Sequence, residues 1–225
     1  MAWPDFAYDI YEDFEDSTLA AGLTESDAGG EFDFPDSAQY YMGSNSASDS
    51  LDGAEAFIYF EAPDSFSYGF WFRTGTYGNW AGGPWIIRLL SVASGSLYRI
   101  IDEDNTGSSA NQFMCIEDSD VITRSSGTWY WCTGKLVRNG TCYFRVYDTA
   151  HAQVGSEMSY AMPNTEFGHF QLGSSIAFTN ASIVYFDAFV VDTTDATYPL
   201  LGWETAAGGT NVSKYKKYYD YRRAQ

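Results

Sequence analysis

The feature that most constrains this chain is its punctuation: short apolar runs are broken by Gly, Pro, Asn, Asp and Ser clusters about every ten residues. Long amphipathic helical repeats are missing, and no unit repeats. Such a rhythm predicts many short antiparallel strands joined by turns, the pattern of an all-β sandwich or barrel. Strands are expected near Tyr8–Glu15, Gly30–Phe34, Ala54–Glu61, Tyr68–Thr74, Trp85–Val92, Ser96–Asp102, Gln112–Glu117, Thr128–Val137, Thr141–Tyr147, His169–Gly173 and Ile183–Val191.

Two of these segments are wanted on both faces. In Tyr68–Arg73, Phe70 and Phe72 share one face while Gly69, Trp71 and Arg73 share the other. In Thr128–Thr133, Tyr130 and Cys132 alternate with Trp129 and Trp131. A strand between two layers, or beneath a covering loop, accounts for such doubly apolar faces. Between Val137 and Cys142 lies Asn139-Gly140, a pair suited to the positive φ angles of a type I′ turn, which predicts a hairpin here.

At 225 residues, with 18% aromatic residues and 21 glycines, the chain suits one sandwich domain with a full core. Composition changes after Trp203, so the domain is expected over residues 1–203, followed by a Gly-rich linker and a basic, Tyr-rich tail over 204–225. Lys214, Lys216, Lys217, Arg222 and Arg223 in that tail are candidate assembly contacts, able to meet the acidic surface of a neighbouring subunit.

The formal net charge of −18 disfavours nucleic acid and anionic lipid surfaces as partners. No stretch approaches the ~20 apolar residues of a membrane span. Residues 1–20 contain neither Lys nor Arg and no continuous apolar run, so no secretory signal is expected in this sequence. Either the protein acts without a signal-dependent route or a leader has been removed. The compartment stays open, with a virion or an extracellular surface as the candidates. Cys115, Cys132 and Cys142 lack metal-site or CxxC spacing. They read as small core residues in a reducing compartment, although Cys132 and Cys142 lie in adjacent strands and can also pair across a sheet.

Several segments, in order, resemble the LamG-like branch of the concanavalin A-like lectin/glucanase superfamily. Phe66-Ser67-Tyr68-Gly69-Phe70-Trp71-Phe72-Arg73-Thr74-Gly75 resembles its hydrophobic strand ending in Trp, a basic residue and Thr-Gly. Ser126–Gly134 is similar to its Gly-Thr-Trp strand, and Phe144–Asp148 to the hairpin partner. Phe167–Ser175 resembles the penultimate strand with Leu-Gly-Ser, Ser182–Val191 the closing strand, and Glu31–Phe34 an early one. The resemblance runs from about Tyr8 to Trp203 and implies a jelly roll of two curved antiparallel sheets, with binding on the concave sheet or the rim loops. It assigns no ligand.

Glycoside hydrolases of that superfamily carry a Glu-x-Asp-x-x-Glu strand, and this sequence has none. Asp102-Glu103-Asp104 and Glu117-Asp118-Ser119-Asp120 sit at strand ends and read as solvated turns. His151 and His169 lack metal-ligand spacing, and no nucleophile elbow or phosphate loop appears. Calcium is the one cofactor that the oxygen-rich loops suit, with Asp102, Asp104 and Asn105 as its candidate ligands. Tyr77, Trp80 and Trp85 crowd into a Gly-rich segment that cannot easily hide all three, and exposed rings of this kind stack on sugar faces. The expectation is therefore a noncatalytic recognition or display module that contacts carbohydrate or a protein surface through Tyr77, Trp80 and Trp85. The alternative is a structural phage or virus surface protein, a capsid decoration or fibre component, anchored as an oligomer or particle by its basic tail.

Overall fold

A computed structural model of the chain describes residues 9–27, 30, 32–49, 55–73, 85–104, 111–174, 183–193, 198–201, 204–205 and 211–212. Two antiparallel sheets are packed face to face, as the strand rhythm predicts. In the eight-stranded sheet the order is β13 (Gln153–Ala161), β12 (Thr141–Tyr147), β11 (Trp129–Val137), β6 (Ser65–Arg73), β15 (Val184–Asp192), β4 (Ser46–Asp49) and β3 (Phe32–Asp36), with β1 (Ile10–Glu12) also pairing β15. The seven-stranded sheet runs β10 (Val121–Thr123), β9 (Asn111–Cys115), β8 (Ser96–Asp104), β7 (Trp85–Ser91), β14 (Phe167–Ser174), β5 (Ala56–Glu61) and β2 (Thr24–Asp27). A small ribbon pairs β16 (Glu204–Thr205) with β17 (Asn211–Val212) inside the stretch expected as linker. No helix among the described residues is long and apolar enough to cross a membrane.

Side-chain alternation sends one set of residues from each sheet into a shared core. Phe70 and Phe72 of β6, Phe186 of β15, Phe144 of β12, Phe113 of β9 and Phe170 of β14 are all fully buried there. Each such ring contributes roughly 1.5–3 kcal/mol by leaving water. The edge strands β10 and β13 approach each other, so Ile122 lies against Gly155 and that side of the sandwich is closed. Cys115, Cys132 and Cys142 are buried free thiols. The β11–β12 register sets Cys132 opposite Val146, away from Cys142, so the cross-strand pair does not form.

Within the two large sheets, four strands lie outside the expected set: β2, β4, β10 and β13. Each is short or polar. In β4, Ser46, Ser48 and Asp49 are buried although they read as turn residues, because pairing with β15 and β3 satisfies the backbone. In β13, Gln153, Gly155, Ser156, Ser159 and Ala161 are exposed on a sheet edge, where polar residues suit a strand that must not pair further. The Asn139-Gly140 hairpin forms between β11 and β12, with a different turn. Gly140 N–H donates to Val137 O at 3.2 Å, and of the three loop residues only Asn139, at φ 55°, is left-handed. A type I′ turn would need two.

Candidate functional site

The two outer faces of the sandwich differ. On the eight-stranded sheet, Trp71, Trp131, Tyr147, Ala188 and Val190 point away from the main core and form a second one beneath Met42 and Leu200. Trp131 Nε1 donates to Leu200 O at 2.7 Å, and Tyr41 stacks on Trp71 with ring centroids 3.7 Å apart. Gly69 is required under this layer, because a Cβ there would run into the Trp131 indole. Asp187 pins the covering segment: its Oδ2 accepts from Met42 N at 2.7 Å and Tyr41 N at 2.9 Å. Burial pushes its carboxyl well above the usual carboxylate range, although these two N–H groups pull the other way. The doubly apolar β6 and β11 are therefore explained by a covering layer, one of the two arrangements the alternation allowed.

The outer face of the seven-stranded sheet is built differently. Ile58, Leu172, Ile87 and Ile100 fill the core from β5, β14, β7 and β8, so their neighbours Tyr59, Gln171, Arg88 and Arg99 point outward. Register lines these up: Tyr59 opposes Gln171, Gln171 opposes Arg88, and Arg88 opposes Arg99. A break in register between Trp85 and Ile87 lets consecutive Ile86 and Ile87 both enter the core. That bulge brings Trp85 back to the outer face, where Arg88 lies 4.7 Å and Arg99 5.3 Å from its ring centroid. His169 meets Tyr59 edge to face at 5.1 Å. Trp85, Tyr59, His169, Arg88 and Arg99 are each only partly buried.

Charge on this face is uneven. Glu117 neutralises Arg99, accepting its Nε at 2.7 Å and its backbone N at 2.8 Å. Arg88 donates Nε to Ser96 Oγ at 2.9 Å and makes no ion pair among the described residues. Its guanidinium is held below the usual arginine range by burial first, with Arg99 adding to this and Glu55 opposing it. Between Arg88 and Tyr59, Gln171 is buried and its Oε1 accepts no hydrogen bond.

Of the residues singled out from sequence, Trp85 belongs to this face, while Tyr77 and Trp80 lie outside the described residues. Asp102 sits within β8, fully buried, with Arg124 Nε 2.5 Å from its Oδ1. Asp104 ends β8 opposite Asn111, and Asn105 lies outside the described residues. No group of three or more His, Cys, Asp or Glu among the described residues is arranged to hold a metal ion. The tail residues Lys214, Lys216, Lys217, Arg222 and Arg223 also lie outside the described residues. Sequence reasoning passed over Tyr59, Gln171, Arg88 and Arg99. The available signal was a lone arginine within the apolar run Trp85-Ile86-Ile87-Arg88-Leu89-Leu90.

Fold and surface together define an antiparallel jelly-roll β-sandwich with one outer sheet face covered and the other lined by aromatic, amide and guanidinium groups. No protein-family model matches the sequence, and no curated protein matches it. Among solved structures the fold is similar to the cellulose induced protein Cip1, at TM-score 0.57 and 15% identity over 82% of this chain and 97% of that one. Two structures of the botulinum neurotoxin type G binding domain, one of them described as a receptor binding domain, match at TM-scores 0.54 and 0.52 with 16% and 12% identity. In both cases the match covers 96% of this chain and 51% of the binding-domain chain, about half its length. At these identities the likeness concerns the fold.

Proposed function

We propose that this chain is a noncatalytic recognition module that binds carbohydrate on the outer face of its seven-stranded sheet, with Trp85 as the central contact. The observation that carries the reading is the row Tyr59, Gln171, Arg88 and Arg99, which runs in register across four strands beside a partly exposed Trp. Aromatic rings with flanking hydrogen-bonding groups suit the mixed surface of a sugar, whose C–H faces are apolar and whose hydroxyls need partners. The ordered motifs that resemble the LamG-like branch support it, as does a structural neighbour described as a receptor binding domain. A noncatalytic role fits Glu117, since both of its carboxylate oxygens accept hydrogen bonds from Arg99. Retaining glycosidases need two carboxyl groups ~5 Å apart and free to act.

Affinity electrophoresis through gels containing soluble polysaccharides tests this. Retardation of the wild type and its loss in Trp85→Ala, with circular dichroism unchanged, is the expected result. Equal retardation of both proteins rules out Trp85 as the contact.

A further inference from the structure

Two groups on the outer face of the seven-stranded sheet lack, among the described residues, a partner that their chemistry favours. Arg88 is a partly buried cation with no ion pair among the described residues, whereas Arg99, Arg124, Arg138 and Arg145 each have one with Glu117, Asp102, Asp64 and Glu157. Directly opposite Arg88 on β14, Gln171 is 6% exposed, and its Oε1 is buried without a donor. A buried amide oxygen left unsatisfied costs about 1–3 kcal/mol. A partly desolvated guanidinium is likewise disfavoured until an anion reaches it. The two lie side by side in a chain of net charge −18, whose overall field repels anions and so makes a cation without an ion pair among the described residues a local exception.

The missing partners specify a ligand. Arg88 asks for an acceptor carrying negative charge, and its planar fork suits a carboxylate. Gln171 Oε1 asks for a donor such as a hydroxyl. Trp85 on one side and Tyr59 on the other ask for an apolar face. The row from Tyr59 to Arg99 crosses three strand spacings, roughly 14 Å, which accommodates an oligomer. We propose that this face selects acidic oligosaccharides: a uronate carboxylate docks on Arg88, a sugar hydroxyl donates to Gln171 Oε1, and Trp85 and Tyr59 pack against the pyranose faces. Glu117 neutralises Arg99, which leaves Arg88 as the arginine of this row without an ion pair among the described residues. This inference rests on the carbohydrate-binding reading and adds the class of sugar.

Calorimetric titration with oligogalacturonate, its fully methyl-esterified form and neutral cello-oligosaccharides separates the two claims. The wild type is expected to bind the free acid about tenfold or more tighter than the ester, because the ester keeps the shape and loses the charge. Arg88→Gln is expected to abolish that preference, weakening acid binding about tenfold more than ester binding, since it removes a charge-assisted contact that only the acid makes. Glu117→Gln frees Arg99 and is expected to raise affinity for the acid, so the claim remains testable if Arg88→Gln does not fold. Equal binding of acid and ester, or a preference untouched by Arg88→Gln, overturns the acidic-sugar inference and leaves the carbohydrate reading standing. Binding of none of the three ligands overturns both.

Discussion

The sandwich carries two outer faces made by the same alternation, and they have opposite fates. On the eight-stranded sheet the outward residues of β6 and β11 are Trp71, Trp129 and Trp131, and the chain covers them with the segments at Tyr41–Met42 and Leu200–Leu201. On the seven-stranded sheet the outward residues of β5, β14, β7 and β8 are Tyr59, Gln171, Arg88 and Arg99, which stay in partial contact with water or keep unpaired polar atoms. The difference lies in side-chain chemistry. Indole rings on an outer face expose a large apolar area to water, so covering them is favourable. Guanidinium and amide groups lose hydration when covered and resist it. One face has become a second core, and the other keeps Tyr59, Arg88 and Arg99 partly exposed.

Substitutions that break this contrast are expected to fall in a definite order. Trp131→Ala removes a fully buried indole and its bond to Leu200, and is expected to lose about 3–5 kcal/mol in urea unfolding. A loss below about 1 kcal/mol would mean that the covering layer adds little to stability. Asp187→Ala releases the backbone N–H groups of Tyr41 and Met42, and an expected loss of about 2–3 kcal/mol follows from leaving them unpaired. Gly69→Ala forces a Cβ against the Trp131 ring and is expected to cost about 1–3 kcal/mol, readable as a lowered midpoint in thermal melts. Trp85→Ala, on the open face, is expected to change stability by less than about 1 kcal/mol while removing binding. A large destabilisation there would make Trp85 a core residue and undo the comparison.

Asp187 also gives the sealed face a pH signature. Its folded carboxyl is raised by burial, whereas in the unfolded chain it ionises near pH ~3.9. Folding therefore favours the protonated form. Its contribution is complete below the unfolded value and is lost as pH rises toward the folded one. Asp187→Asn, which keeps an acceptor for both N–H groups, is expected to flatten this slope in unfolding titrations. An unchanged slope assigns the pH dependence to other groups.

Much of the frame was legible locally. Apolar alternation located β5, β6, β7, β8, β11, β12, β14 and β15 to within a few residues, and the doubly apolar pattern of β6 and β11 required something over their outer face. Strands whose inward residues are Ser or Asp, such as β4, were not legible, because their burial depends on neighbours rather than on their own hydrophobicity. Trp85 was legible as a ring that a Gly-rich surroundings cannot easily hide. Tyr59, Gln171 and Arg99 were not, because nothing in their own segments marks them, and they become a row only across strands that are far apart in sequence.

The sequence by itself determined an all-β sandwich and the need to cover the tryptophans, because side-chain period and ring hydrophobicity are properties of neighbouring residues. The tertiary structure decided which segments supply the cover, and which aromatic ring stands beside which cation. Those outcomes follow from cross-strand register and from one bulge at Ile86–Ile87, where a single extra residue moves Trp85 to the opposite face. Register is fixed by how both sheets pack together, so no single segment records it.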